Sequence, residues 1–302
     1  APHLAQLDKR ARKLDWTFLL RGDVPVKVEA SCKGSRIYHA GAAAERVAGA
    51  LQDATGAPIR DDGPVRLLVR IHKNLCTISV DASGDPLHRR GFKQAVAKAP
   101  LRETLAALFL RACGYSGREP VLDPMCGSGT FVIEAAEIAA GLAPGRGRSF
   151  AFEHLAGFDP AAWTALKAQA GRASAPGILF HGSDRDEGAA RMAAENAARA
   201  GVAELCRFKS VAIKDLPRPD GPAGLIMVNP PYGERVGNRG ALVGVHRTLG
   251  QVLRERFTGW RVGLVTSDAA LAKATGLPFE PPGPFVDHGG LKIRLHQTGP
   301  LP

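Results

Sequence analysis

The sequence has few cysteines, and their spacing argues against both a disulfide framework and a zinc site. The five cysteines, Cys32, Cys76, Cys113, Cys126 and Cys206, are odd in number and widely separated, without a Cys-x-x-Cys pair. The nine histidines show no His-x-x-x-His spacing, so we expect no metal. Free thiols are typical of a reducing compartment, which favours a cytoplasmic location.

Long apolar runs and acidic residues are also scarce. No segment approaches the ~18 apolar residues of a membrane span, and residues 1–16 lack the apolar core of a secretory signal. Only 29 Asp and Glu residues oppose 40 Lys and Arg residues, which leaves a net charge of +11. We therefore expect no membrane contact and a polyanionic partner, although many basic enzymes never bind nucleic acid.

A length of 302 residues exceeds the ~100 to 200 residues of a common domain and predicts two domains. Residues 1–85 have the pattern of a small α+β domain, and residues 86–99 form a basic connector. Residues 100–302 repeat strand, Gly-rich turn and helix, which is typical of an α/β fold with a parallel sheet covered on both faces.

Within this division, several local features can be predicted. Gly56 stops an Ala-rich helix, and Lys73 with Asn74 marks a turn between two strands. Residues 141–177 break the α/β rhythm and are expected to be a surface insertion. A last strand over residues 292–298 is expected to close the sheet as an antiparallel edge.

The segment 121–130, VLDPMCGSGT, joins a short apolar strand to a helix through a Gly-rich turn. Glycines let the backbone approach a ligand closely, and the helix N-terminus suits a carboxylate or phosphate. An acid at the mouth of the turn repels a pyrophosphate and attracts an ammonium group, and no Gly-Lys-Ser/Thr follows. These features favour the zwitterionic end of S-adenosylmethionine (SAM), whereas an ordinary glycine turn with Asp123 as a helix cap is the alternative. The candidate contacts are Asp123, Pro124, Met125, Cys126, Gly127, Gly129 and Thr130.

A second acid follows the next strand. Asp184, with Arg185 beside it, ends the segment FHGSD, where a carboxylate could accept hydrogen bonds from ribose hydroxyls. The alternative is that Asp184 or Asp186 only caps the helix that follows.

A proline-stopped strand carries the strongest catalytic signal. The apolar segment GLIMV ends at Asn229, Pro230, Pro231 and Tyr232. Because Pro230 has no N–H, its carbonyl and the Asn229 side chain can act as two fixed acceptors for an exocyclic amine that attacks a methyl group. Tyr232 offers an aromatic face on which a flipped base can stack. Asn229 also borders the predicted cofactor pocket.

With both motifs in hand, the sequence resembles the THUMP-containing class I RNA methyltransferases, and most closely the group that makes N2-methylguanine in large-subunit ribosomal RNA. The resemblance rests on SRIYH, CTISVDASGDPLHRRGF, APLRETLAA, DPMCGSGTFVIEAA, GSDRDEGAARMAAENAARAG and NPPYGERVG. It implies a Rossmann-like seven-stranded methyltransferase sheet behind a THUMP-like RNA-binding domain, which is expected to be incomplete at its start.

The resemblance also assigns roles to single residues. Asp123, Gly127 and Gly129 would line the methionine part of SAM, Asp184 would hold the ribose, and residues 229–232 would hold the target base. Residues 100–104 would border the cofactor pocket, with the plain start of an amphipathic helix as the alternative. Ser210 occupies the position at which related enzymes place an acid against adenine, and a hydroxyl accepts a hydrogen bond more weakly than a carboxylate.

Basic side chains in and after the first domain are candidates for RNA contact, with a solvated charged face as the alternative. These candidates are Lys33, Arg36, Arg89, Arg90 and Lys93. Two further functional interpretations stay open. The Asn-Pro-Pro-Tyr motif also serves adenine-N6 methyltransferases of RNA or DNA, and Ser210 leaves room for an RNA-binding module with an inactive core. Cys126 is interpreted as a small loop residue and not as a nucleophile.

Overall fold

The computed structural model describes residues 1–93, 101–170, 177–232 and 239–302. The predicted connector beyond Lys93, Pro100 and the GERVG that follows Tyr232 therefore lie outside the described residues. Within the described part of the chain, no helix combines the length and apolarity required to cross a bilayer.

The described residues form eight α-helices and ten β-strands, numbered in chain order. The helices are α1 (Leu4–Ala11), α2 (Ala40–Thr55), α3 (Glu103–Ala112), α4 (Thr130–Ala139), α5 (Pro160–Ala170), α6 (Glu187–Arg199), α7 (Arg239–Arg256) and α8 (Ala269–Ala274). The strands are β1 (Val26–Lys33), β2 (Val65–His72), β3 (Leu75–Asp81), β4 (Val121–Asp123), β5 (Phe180–Asp184), β6 (Cys206–Ser210), β7 (Leu225–Val228), β8 (Arg261–Thr266), β9 (Val286–His288) and β10 (Leu291–Gln297).

The chain folds into two compact units. The first contains residues 1–89 and 147–169, and the second contains residues 90–146 and 170–302. This grouping differs from the predicted division, because part of the expected insertion belongs to the first unit. Two contacts between distant segments explain this: the N–H of Phe152 donates to the carbonyl of Ala82 at 3.0 Å, and Leu155 packs against the core of the first unit.

The first unit has a three-stranded sheet in the order β1-β2-β3. Strands β1 and β2 are parallel, and β2 and β3 are antiparallel. The turn predicted between β2 and β3 is confirmed, since Lys73 and Asn74 have positive φ angles of 49° and 63°, which a tight hairpin requires. Gly56 ends α2 in the left-handed conformation, as predicted.

The second unit is a seven-stranded sheet in the order β6-β5-β4-β7-β8-β10-β9, which confirms the predicted fold class. Strands β6, β5, β4, β7 and β8 are parallel, and β10 runs antiparallel to β8. The prediction that residues 292–298 form the edge is wrong, because the short strand β9 pairs outside β10. Its three residues alternate too briefly to give a sequence signal.

Helices cover both faces of this sheet, and its central strand β7 is accordingly apolar throughout. All four residues of β7 are buried, as expected for a strand without a solvated face. The side chains of Leu225 and Met227 belong to one core cluster, with α3, α4 and α6, whereas Ile226 and Val228 belong to another, with α7.

Candidate active site

The order of the strands reverses between β4 and β7. From β4 the chain builds outward through β5 and β6, and it then returns to place β7 on the other side of β4. Such a reversal opens a crevice at the carboxyl ends of the strands. Because Leu122 pairs with Ile226 in parallel register, Asp123 and Asn229 lie at the same edge on neighbouring strands. Neighbouring strands are about 4.8 Å apart, so the two predicted motifs share one crevice.

The glycine turn after β4 uses conformations that only glycine adopts readily. Gly127 and Gly129 have φ angles of +51° and +83°. A Cβ on Gly129 would lie 3.0 Å from the Cβ of Ala193 and 3.2 Å from the ring of Phe208. The turn is thus pressed against α6 and β6. It ends at α4, whose first residue is Thr130 and whose N-terminus has no side-chain cap.

Asp184 holds the glycine turn in place. One of its carboxylate oxygens accepts the N–H of Gly127 at 3.0 Å, and the other accepts the N–H of Asp186 at 3.0 Å. The N-cap of α6 is Asp186, which accepts the N–H of Gly188, so Asp184 is not the helix cap. Sequence reasoning missed the bond to Gly127, because no local pattern relates a turn to an acid on the next strand.

Asp123 is buried at the mouth of the crevice. Its side chain accepts the N–H of Met125 at 3.0 Å, and α4 begins only at Thr130, so Asp123 does not cap that helix. Burial, together with the nearby charge of Asp184, raises the pKa of Asp123 to about 8, although the Met125 bond opposes the rise. A cation bound beside this carboxyl would stabilise its charged form.

On the other side of the crevice, Asn229 presents an acceptor without a partner. Its Oδ1 is buried and accepts no hydrogen bond from any described residue. A buried polar atom without a partner costs free energy, and such an atom in a native structure calls for an explanation, of which a catalytic role is one. Asn229 follows β7 directly, so this acceptor lies at the crevice that Asp123 also borders.

The remaining residues of the Asn-Pro-Pro-Tyr motif extend from the strand end. Pro230 is buried, Pro231 is half-buried, and Tyr232 packs partly buried against the core cluster of the second unit. Burial raises the pKa of the Tyr232 phenol to about 12. The phenol therefore stays neutral, and its contribution to the crevice is an aromatic surface with a neutral hydroxyl.

The other predicted cofactor residues lie at the same edge of the sheet and differ in how far they are exposed to solvent. Pro124 is buried and Met125 is half-buried beside the turn. Ser210 ends β6, pairs in register with Asp184 and is exposed. Arg185 is exposed as well. The predicted contacts thus run along the carboxyl ends of β4, β5 and β6.

Cys126 lies within the turn but lacks the properties of a nucleophile. Its thiol is buried, and burial with the charges of Asp123 and Asp184 raises its pKa well above the ordinary value. A nucleophilic cysteine requires the thiolate. The environment of Cys126 therefore fits the interpretation of a small loop residue.

The candidates for RNA contact fall into two groups. Lys33, Arg36 and Arg89 are exposed in the first unit. Arg90 is 5% exposed and forms ion pairs with Glu134 at 2.7 Å and Glu137 at 3.0 Å. The structure corrects its predicted role, because a buried guanidinium held by two carboxylates of α4 is not available to a phosphate.

Lys93 also departs from the prediction of an exposed RNA contact. Its ammonium donates to the carbonyl of Leu101 at 2.7 Å and to the hydroxyl of Thr130 at 2.9 Å. Its side chain is only 11% exposed. The sequence did contain one signal for these buried cations, since Glu134 and Glu137 interrupt an otherwise apolar helix at a spacing of one turn.

Comparison with known proteins finds a family match for most of the second unit. Residues 90–278 match the UPF0020 family model, whose description is RMKL-like, methyltransferase domain. The ribosomal RNA large subunit methyltransferases K/L of Vibrio campbellii and Vibrio parahaemolyticus are 41% and 40% identical over 214 residues. This match includes 68% of the chain and 30% of each relative, so the chain spans less than a third of those proteins.

Solved structures resemble the entire chain. SMU.472, solved in complex with S-adenosylhomocysteine (SAH), is 26% identical with a TM-score of 0.87, over 100% of this chain and 82% of that one. A possible methylase from Clostridium difficile 630 is 30% identical with a TM-score of 0.85, at the same coverage. A Listeria monocytogenes protein described as a predicted N6-adenine-specific DNA methylase is 28% identical, with a TM-score of 0.86, over 99% of this chain and 80% of that one.

Proposed function

Because the chain belongs to the family of RMKL-like methyltransferase domains, we propose that it transfers a methyl group from SAM to the exocyclic amine of an RNA base. Guanine N2 in ribosomal RNA is the proposed target. The observation that carries the proposal is the unpartnered, buried Oδ1 of Asn229, one strand away from a glycine turn with a buried acid.

The residues of the crevice fit the cofactor. The carboxyl of Asp123 has a raised pKa, which a neighbouring ammonium would bring down, and SAM carries such a group on its methionine end. The N-terminus of α4 is free of a side-chain cap and could receive the carboxylate of SAM. Asp184 retains acceptor capacity for ribose hydroxyls beside its two backbone bonds.

The proposed mechanism assigns binding and orientation to the protein. Bound SAM supplies a methyl group on a sulfonium, which is a good leaving group. Asn229 Oδ1 and the carbonyl of Pro230 accept the two hydrogens of the amine, so that its lone pair faces the methyl and the charge that develops on nitrogen is stabilised. Tyr232 stacks on the flipped base. Positioning of this kind can account for most of the rate. The methylated nitrogen then releases one proton to water, and we assign no general base.

RNA is proposed as the substrate for three reasons. The net charge of +11 suits a polyanion, the Vibrio relatives are named for ribosomal RNA, and Lys33, Arg36 and Arg89 are exposed on the first unit. We further propose that this unit is the THUMP-like domain that binds RNA, and that the protein works in the cytoplasm without a metal. No cluster of metal-ligating side chains occurs among the described residues.

The test is to incubate the protein with labelled SAM and total RNA from a strain that lacks it, digest the RNA to nucleosides and identify the labelled product by mass. We expect label in N2-methylguanosine. Label in N6-methyladenosine instead would favour the adenine alternative, which the description of the Listeria structure suggests. RNA without label, from protein that binds SAM, would support the inactive module.

A further inference from the structure

Lys93 holds a nearly buried ammonium at the start of α4, next to the glycine turn. Its ammonium contacts the starts of two helices in the second unit: it donates to the carbonyl of Leu101 before α3, lies 3.7 Å from the carboxylate of Glu103 at the start of α3, and donates to the hydroxyl of Thr130 at the start of α4. The contacts with Leu101 and Thr130 are close hydrogen bonds, and the contact with Glu103 is longer than a hydrogen bond. An ammonium has three protons to donate, so one proton has no close acceptor among these contacts.

The groups around this ammonium carry charges of both signs: the carboxylate of Glu103 forms an ion pair with it at 3.7 Å, and the start of α4 is a positive helix end. Thr130 is the first residue of α4, where the helix dipole contributes a partial positive charge and where no side chain caps the free N–H groups. His288 of β9 is close enough to be affected as well, since burial and then the charges of Arg102 and Lys93 lower its pKa. The Glu103 carboxylate balances part of this positive charge from 3.7 Å, and a second anion bound at the N-terminus of α4 would balance more of it.

The bond to Thr130 also decides how that hydroxyl can act. A threonine hydroxyl has one proton and two lone pairs. By accepting from Lys93 at 2.9 Å, Thr130 keeps its own proton available for donation. The Oγ of Ser128 lies 3.5 Å away, at the limit of a hydrogen bond. The hydroxyl of Thr130 can therefore donate to an anion at the helix N-terminus.

We propose that Lys93 is a positioning and selectivity residue for the cofactor, and that it recognises the carboxylate of the methionine end through its charge and through the oriented hydroxyl of Thr130. This inference rests on the proposed function, because it requires that SAM bind against the N-terminus of α4. It gives Lys93 a role that differs from the RNA contact predicted from the sequence.

The test compares SAM with decarboxylated SAM, which keeps the sulfonium, the adenosine and the amine but lacks the carboxylate. Calorimetric dissociation constants are measured for both ligands without RNA, on the whole chain and on the Lys93→Met variant. We expect K93M to bind SAM roughly 10- to 100-fold more weakly, the range typical of a charge-assisted hydrogen bond. Its affinity for decarboxylated SAM should stay within about twofold, because that ligand offers no carboxylate.

Two further variants separate charge from scaffolding. Lys93→Arg keeps the cation and should restore most of the preference for SAM, whereas the exposed Lys9→Met on α1 removes a lysine elsewhere and should change neither affinity. Thermal unfolding of each variant checks that it is folded. An equal loss of both affinities in K93M, or no loss in either, would overturn the proposal. Failure of the unmodified protein to bind SAM would instead overturn the proposed function itself.

Discussion

The two sides of the crevice differ in how far the protein satisfies its own polar groups. On the side of β4 and β5, the N–H of Gly127 and both oxygens of Asp184 are hydrogen-bonded within the chain. On the side of β7, the buried Oδ1 of Asn229 has no partner among the described residues. The first side is therefore held in place by the fold, whereas the second side offers an acceptor that a substrate amine would complete.

This difference predicts separate consequences for mutation. Changes on the first side should alter cofactor affinity and stability, because they disturb bonds that already exist. Changes at Asn229 should alter the rate of methyl transfer and leave the cofactor almost unaffected, because its acceptor acts only on the amine.

The largest effect is expected for Asn229→Ala. Removing one acceptor of developing charge typically costs roughly 10²- to 10³-fold in kcat, while the dissociation constant of SAM should change by less than about threefold. Single-turnover methylation of RNA and calorimetry of SAM measure the two quantities on the same preparation. A variant that loses cofactor affinity in proportion to its rate would remove the distinction between the two sides.

The next largest effect, on stability and on SAM affinity, is expected for Gly129→Ala on the side of β4 and β5. The added Cβ would lie 3.0 Å from the Cβ of Ala193. Gly141→Ala is the matched control, because a Cβ at Gly141 would have no atom within 4 Å. The φ angles are similar, +83° at Gly129 and +68° at Gly141. Both variants carry backbone strain of about 1 kcal/mol, so the difference between them isolates the clash. We expect G129A to unfold about 1 to 3 kcal/mol more easily than G141A and to bind SAM more weakly. Denaturant titration and calorimetry check this, and equal behaviour of the two variants would contradict it.

Asp123 gives a pH dependence with a defined sign. Its folded pKa of about 8 lies above the unfolded value near 4, so between these values the folded state holds a proton that the unfolded state has released. Its contribution to stability is therefore present at low pH and is lost as the pH rises from about 4 to about 8. Asp123→Asn mimics the protonated acid. Denaturation across this pH range should therefore show that the free energy of unfolding of this variant does not decrease between pH 4 and pH 8 through this group. SAM should stabilise the unmodified protein more at pH 8 than at pH 6, because its ammonium favours the carboxylate.

The smallest effect is expected for Cys126→Ala. A buried thiol with a raised pKa does not form a covalent intermediate, so kcat should fall by no more than about threefold, mainly through packing. Single-turnover methylation on RNA measures it. A loss of several hundred-fold with unchanged SAM affinity would instead indicate nucleophilic catalysis.

Much of the fold could be predicted from local patterns. The buried run of β7, the glycine turn after β4 and the stop of α2 at Gly56 are each encoded within about ten residues, and the structure confirms them. Both motifs also follow strands of one parallel sheet, which is why their common edge could be anticipated from topology.

The remaining features depend on contacts between distant segments. Arg90 resembled a surface cation in the sequence, because nothing near it reveals the carboxylates of Glu134 and Glu137. The grouping of residues 147–169 with the first unit depends in the same way on Leu155, because the other residues of its apolar cluster all lie between residues 1 and 80. Strand β9 is too short for its periodicity to be recognised.

The most direct test is a crystal structure of the protein with SAH. A methyl group in transfer lies about 3 Å from the attacking nitrogen, and that nitrogen lies about 3 Å from its acceptor. The sulfur of SAH should therefore lie within roughly 7 Å of Asn229 Oδ1, with its amino-acid end at the N-terminus of α4. SAH bound elsewhere, or with its sulfur directed away from Asn229, would contradict the proposed mechanism.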